Sequence, residues 1–243
     1  MALTDKLTAI ANAIRAKTGG TEKLSLDEMA SAISNMQTGG SDSSLKGLIE
    51  RTATNIELPE DLTKIGDYAF YCCHNLQLTS LPDGVTSIGD HAFCNCERLA
   101  LVSLPDGVTS IGDHAFNTCT SLSLTSLPAG VTSIKDYAFN ACDNLALTSL
   151  PAGVTSIGEC AFSYCDNLTS MTLPAGVTSI GRYAFRGCLA LTTITFEGTP
   201  SSINKSVFGS SATTINVPWA EGAVANAPWG ATNATINYNY TGE

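Results

Sequence analysis

The residues best equipped for chemistry stand in columns. His91, Cys94 and Cys96 form a His-x-x-Cys-x-Cys run, and His114 follows His91 by 23 residues. Imidazole and thiolate are ligands of zinc, which takes four of them in a tetrahedron. The positions equivalent to His91 and His114, however, hold Tyr68, Tyr137, Cys160 and Tyr183. Those side chains share no ligand chemistry, so the column reads as rings packed on stacked neighbours, and no metal is expected. A second column is acidic: Asp67, Asp90, Asp113, Asp136 and Glu159 recur at the same step and could offer oxygen ligands to calcium. Each repeat supplies one carboxylate and Arg182 ends the series, so N-capping of a short helical turn explains the column without a cation. Nucleophilic catalysis would have no G-x-S-x-G elbow and only His74, His91 and His114 to draw on. Neither an enzyme nor a cofactor is expected.

What must position these residues is a strict repeat. Leu-Pro recurs at Leu58, Leu81, Leu104, Leu127, Leu150 and Leu173, and Ala-Phe at Phe70, Phe93, Phe116, Phe139, Phe162 and Phe185, each step being 23 residues. A fixed period of this size marks a repeat solenoid, in which no unit buries its apolar face alone and each stacks on its neighbours. A full unit has three parts: a strand such as Leu101-Val-Ser-Leu104, a second extended piece, Val108-Thr-Ser-Ile111, and a helical turn, Asp113-His-Ala-Phe116. Leu99, Val102, Leu104, Val108, Ile111, Phe116 and Cys119 are expected to point inward. The Pro-Asp-Gly or Pro-Ala-Gly after each Leu is turn chemistry, with Gly free to take positive φ. Six of the nine cysteines, Cys73, Cys96, Cys119, Cys142, Cys165 and Cys188, follow the repeat Phe by three residues. They read as a reduced structural column of small, soft side chains.

The flanks differ from the repeat. Leu3, Leu7, Ile10 and Ile14 line one face of an amphipathic helix, and a second helix is predicted from Ser25, where Glu28 completes a capping box. Residues 1–36 are therefore expected to be a helical hairpin, too small to hold a core alone and suited to attachment or homo-oligomerisation through residues 3–36. The Gly- and Ser-rich stretch 37–47 reads as a linker, 48–220 as the solenoid. In the last unit Phe196, Ile203 and Phe208 stand for the usual Leu, Ile and Phe, and Trp219, Trp229 and Ala234-Thr-Ile-Asn-Tyr238 follow. Because the end of a solenoid must hide its apolar face, 221–243 is expected to be a C-terminal cap.

A net charge of −10 argues against nucleic acid as a partner. No apolar run is long enough to enter a membrane as a spanning helix. The sequence also lacks the pattern of a secretory signal, so ordinary secretion is not expected.

The pattern L-x-x-I-x-L-P followed by V-x-x-I-G-x-x-A-F-x-x-C-x-x-L resembles the BspA-like class of leucine-rich repeats over roughly residues 48–220. The match is close at Leu168-Thr-Ser-Met-Thr-Leu-Pro174 and Val177-Thr-Ser-Ile-Gly-Arg-Tyr-Ala-Phe185. The resemblance implies a right-handed leucine-rich repeat solenoid with a sheet on its concave side, of the kind found in bacterial surface and adhesion proteins. The segment from Leu3 to Gly19 looks like the helical leader of tail-associated proteins of phages and prophages from gut Firmicutes. Together these imply a non-enzymatic recognition or adhesion module, phage- or prophage-encoded. With no secretory signal they imply a virion-associated protein or one held in the cytoplasm until lysis, with the cell surface as the alternative. A structural spacer of a phage tail and a bacterial cell-surface adhesin are the alternatives.

The candidate binding face is the strand. Strict alternation makes Ser80, Ser103, Ser126, Ser149 and Thr172 solvent-facing, and with them the column Leu78, Leu101, Leu124, Leu147 and Ser170. Four stacked outward leucines would form an exposed apolar stripe, the mark of a contact surface for a host protein or glycan. The competing arrangement is a strand shifted by one residue that buries the leucines, because a one-residue slip exchanges the two faces.

Overall fold

In the computed structural model, residues 51, 54, 56, 58, 60–209 and 214–242 are described. The expected hairpin and the linker lie outside them. The described chain is a parallel β-solenoid of 23-residue rungs. One side carries seven two-residue strands: β1 (Lys64–Ile65), β2 (Ser87–Ile88), β3 (Ser110–Ile111), β4 (Ser133–Ile134), β5 (Ser156–Ile157), and, further along, β7 (Ser179–Ile180) and β9 (Ser202–Ile203). A second side carries β6 (Ser170–Leu173), β8 (Thr193–Phe196), β10 (Thr214–Asn216) and β11 (Thr235–Asn237). All pairing is parallel, in the orders β1-β2-β3, β4-β5-β7-β9 and β11-β10-β8-β6. Ile pairs with Ile along the first side and Ser with Ser from β2 onward, Lys64 standing opposite Ser87 at the first step. The second sheet continues to Asn237, past residue 220.

The first ladder breaks between β3 and β4, beside a column composed mostly of glycine. Gly89, Gly112 and Gly158 pass so close to the preceding rung that a Cβ there would lie 2.6 Å from the backbone nitrogen of Asp67, Asp90 or Asp136. Lys135 occupies this column and brings a Cβ to the same place. The strand pairing is lost at that step, whereas Asn204, which carries a Cβ in the same column, keeps its N–H on the Ile180 carbonyl at 3.1 Å and β9 stays paired with β7.

The segment after each Gly is not the expected helical turn; no α-helix occurs among the described residues. Residues four apart take left-handed φ: Tyr68 and Cys72, His91 and Asn95, His114 and Thr118, with φ between 54° and 61°. Such φ costs a non-glycine residue roughly 1–2 kcal/mol, and inter-rung hydrogen bonds offset it. The N–H groups of His91, Phe93 and Asn95 donate to Asp113, Ala115 and Asn117 of the next rung at 2.7–2.8 Å, while those of Ala92, Cys94 and Cys96 donate back three residues. The alternation lets one short segment satisfy its backbone both within its rung and along the solenoid.

Inside, Phe70, Phe93, Phe116, Phe139, Phe162 and Phe185 stack at 5.0–5.6 Å between centroids. The cysteine column lies beside them, buried and free of disulfides. From Cys96 onward each thiol donates to the carbonyl of a Phe on the rung before, Cys119 to Phe93 at 3.0 Å and Cys142 to Phe116 at 3.1 Å. Burial holds these thiols well above their ordinary range, so they are poor nucleophiles and poor ligands. At the C-terminal end Trp229 is fully buried, and the rings of Phe196, Phe208 and Trp219 pack around it.

Candidate binding surface

The strand side does not present leucine. Leu78, Leu101, Leu124 and Leu147 are 8, 0, 0 and 1% exposed, whereas Val102, expected inside, is 59% exposed. The apolar stripe is therefore overturned, and so is the inward assignment of Val102. The reason is the spacing L-x-L-x-x-L in these rungs. Three leucines want the core, and two-residue alternation accommodates only the first two. The chain places two consecutive residues outward, Thr79-Ser80, Val102-Ser103, Thr125-Ser126 and Thr148-Ser149, all exposed. Burying the third leucine outweighs regular pairing, since a leucine side chain gains about 1.5–3 kcal/mol on burial. One hydrogen bond per rung survives in these segments: Ala100 to Leu78, Ser123 to Leu101 and Ala146 to Leu124, each N–H to carbonyl at 3.1 Å.

In the next two rungs the middle apolar residue moves by one position. Leu168-Thr-Ser-Met-Thr-Leu173 and Leu191-Thr-Thr-Ile-Thr-Phe196 bury Met171 and Ile194, leaving Ser170 and Thr172 half-buried in β6. Alternation now holds across four residues, and β6 and β8 form. The polar members of the expected face, Ser80, Ser103, Ser126, Ser149, Ser170 and Thr172, thus remain on the outer surface while the leucines leave it. Beyond them a polar ladder climbs the sheet: the Asn237 amide donates to Asn216 Oδ1 at 2.8 Å and the Asn216 amide to Thr195 Oγ1 at 3.1 Å.

The acidic column caps, but not its own segment. Asp67 Oδ1 accepts the N–H of Asp90, Asp90 that of Asp113, Asp113 that of Asp136 and Asp136 that of Glu159, at 2.7–3.1 Å. Each carboxylate thus ties one rung to the next. His91 and His114 stack between Tyr68 and Tyr137 with centroids 4.5–4.7 Å apart. Among the described residues no three His, Cys, Asp or Glu side chains are arranged to hold a metal ion, and no helix is long and apolar enough to cross a membrane. Cys96 is turned away from His91, its thiol donating to the Phe70 carbonyl at 2.9 Å.

The family model for the BspA type leucine rich repeat region matches residues 50–169 and 132–222, in six copies. No curated protein sequence matches the chain. Among solved structures, the leucine-rich repeat protein of T. pallidum is similar over 74% of this chain and 78% of its own, at 29% identity and a TM-score of 0.52. A leucine-rich repeat protein from Bacteroides ovatus ATCC 8483 is similar over 77% of this chain and 61% of its own, at 24% identity and a TM-score of 0.50.

Proposed function

Because the chain belongs to the family of BspA type leucine-rich repeat regions, we propose that it is a recognition module, without catalysis of its own, that presents its strand side to a protein or glycan of a host surface. The observation that carries this reading is the run of exposed pairs Thr79-Ser80, Val102-Ser103, Thr125-Ser126 and Thr148-Ser149 on successive rungs. They form a strip of hydroxyl and small apolar groups, set on a scaffold whose core is continuous from Ile56 to Ala231. Repeat solenoids bind through such extended surfaces. Residues 3–36 attach the module to further copies of itself or to a tail assembly, and the setting is a phage or prophage particle.

The test is binding of the purified full chain to a glycan array and to a panel of bacterial and epithelial cells. Saturable binding is expected, reduced about tenfold or more by Ser103→Arg with Ser126→Arg, since removing complementarity at the centre of a contact surface costs at least that much. Binding indifferent to both substitutions would sink the reading.

A further inference from the structure

A second surface lies away from the strand side, on the ridge of left-handed residues, and it is built from departures from the repeat. Where the acidic column ends, Arg182 takes the place of Asp or Glu, and Arg186 stands four residues on. Arg182 Cζ lies 4.3 Å from the Tyr183 ring centroid, and its Nη2 donates to the Tyr183 hydroxyl at 2.8 Å. Arg186 Cζ lies 4.9 Å from the Tyr183 centroid and 5.8 Å from that of Tyr164. Two glycines on the following rungs make room for this. A Cβ at Gly187 would lie 2.5 Å from Tyr164 Cδ1, and one at Gly209 would lie 2.7 Å from Arg186 Cγ. Both glycines take positive φ, in columns where other rungs carry side chains. The Tyr164 ring and the Arg186 stem are thus laid across bare backbone.

A guanidinium resting on aromatic faces keeps the donors at its edge available: Arg186 keeps its whole fork, and Arg182 keeps the donors other than the one given to the Tyr183 hydroxyl. Neither arginine has a carboxylate within ion-pair distance among the described residues, although the chain carries a net charge of −10. Both arginines and Tyr164 are exposed. A fork of this kind matches a carboxylate with two parallel hydrogen bonds, and because packing already orders Arg186, less entropy is lost on binding. The adjoining Tyr164 ring offers an apolar face on which the C–H face of a pyranose can lie; the side chain of an acidic peptide has no such face. We propose that Arg182, Arg186 and Tyr164 form a binding site for an acidic sugar, a glycan residue bearing a carboxylate. The site is separate from the strand strip, so either can fail alone.

The experiment is calorimetric titration of the full chain with a galacturonic acid oligosaccharide, its neutral galactose counterpart and an oligoglutamate of equal charge. The acidic oligosaccharide is expected to bind saturably, about tenfold or more tighter than the neutral one, as loss of a charge-assisted bidentate contact implies, and more weakly as salt is raised. Arg186→Gln and Tyr164→Ala are expected to weaken it, and Ser103→Arg to leave it unchanged. Arg186→Lys keeps the charge and the stem over Gly209 but loses the fork, so it decides the matter if Arg186→Gln unfolds. Undiminished affinity in Arg186→Lys, absence of saturable binding, or oligoglutamate binding as tightly as the sugar would each overturn the proposal.

Discussion

Asp113 Oδ1 accepts the backbone N–H of Asp136, its equivalent one rung later, at 3.1 Å. The same carboxyl group hangs on the residue whose own N–H is held by Asp90 at 2.8 Å. The inner members of the column, Asp90, Asp113 and Asp136, are thus both held and holding. What this asks of the side chain is an acceptor at the right distance, and charge is incidental. Asp113→Ala should lower the stability by about 1 kcal/mol, the usual value of one hydrogen bond. Asp113→Asn, which keeps an oxygen there, should lower it by clearly less. Urea unfolding of the two variants measures the difference. Equal losses would mean that charge, not acceptance, is what the column supplies.

A glycine beside that column has a steric reason. A Cβ on Gly158 would come within 2.4 Å of Asp136 Oδ1 and 2.6 Å of the Asp136 nitrogen. Backbone cannot move aside as a flexible side-chain end can, so Gly158→Ala should cost about 1–3 kcal/mol, as overpacking generally does. The mirror-image change is Lys135→Gly, which removes the Cβ at the broken step between β3 and β4. It should restore pairing there, read as added protection of the residue-135 amide from hydrogen exchange. An unprotected amide at 135 would show that the break has another origin.

The shift between Leu147 and Met171 can be moved by mutation. The double variant Leu147→Ser with Thr148→Met writes the β6 pattern into the rung before it, where a single bridge, Ser149 to Thr172, now reaches the sheet. It should extend the sheet by one strand and unfold at nearly the wild-type midpoint. Leu147→Ser alone should cost about 2–5 kcal/mol, the range for truncating a buried leucine, plus the burial of a hydroxyl. Amide exchange at Thr148 and Ser149 separates the two outcomes. If the double variant is no more stable than the single one, the position of the middle apolar residue does not set the register.

That shift also marks where the sequence stops being legible. The period and the Phe116 and Cys119 columns can be read directly, because identical residues at identical steps must share one environment. The faces of Leu101 and Val102 cannot be read by alternation, since both are apolar and the winner depends on where Leu104 must go. The partner of Asp113 is hidden for another reason: its hydrogen bond runs to a residue 23 positions away, whereas a capping pattern is sought within one helical turn. The left-handed φ of Tyr68 and His91 leaves a faint trace in a column that tolerates Tyr, His and Cys alike. The cluster around Arg186 takes residues from three rungs, including two glycines whose meaning lies only in what rests on them.

Acid should loosen the solenoid at His114. Its ring is stacked between His91 and Tyr137, at 4.5 Å from each, and its Nδ1 lies 3.3 Å from the Asn117 amide. Burial, and then the neighbouring His91 ring, hold its pKa below the ordinary 6.5, although Asp113, Asp136 and Asp90 pull the other way. A lowered pKa means that the folded ring resists a proton which the unfolded ring accepts. Stability from this residue is therefore complete above about pH 6.5 and is lost as pH falls below it, until the folded ring also protonates. The same column supplies the control, for Tyr68 and Tyr137 show that a phenol fits there. His114→Tyr should keep the stacking and flatten the fall in unfolding midpoint between about pH 7 and about pH 5. A wild-type midpoint that stays level over that range, or a variant that falls just as steeply, would mean that His114 does not carry the acid sensitivity.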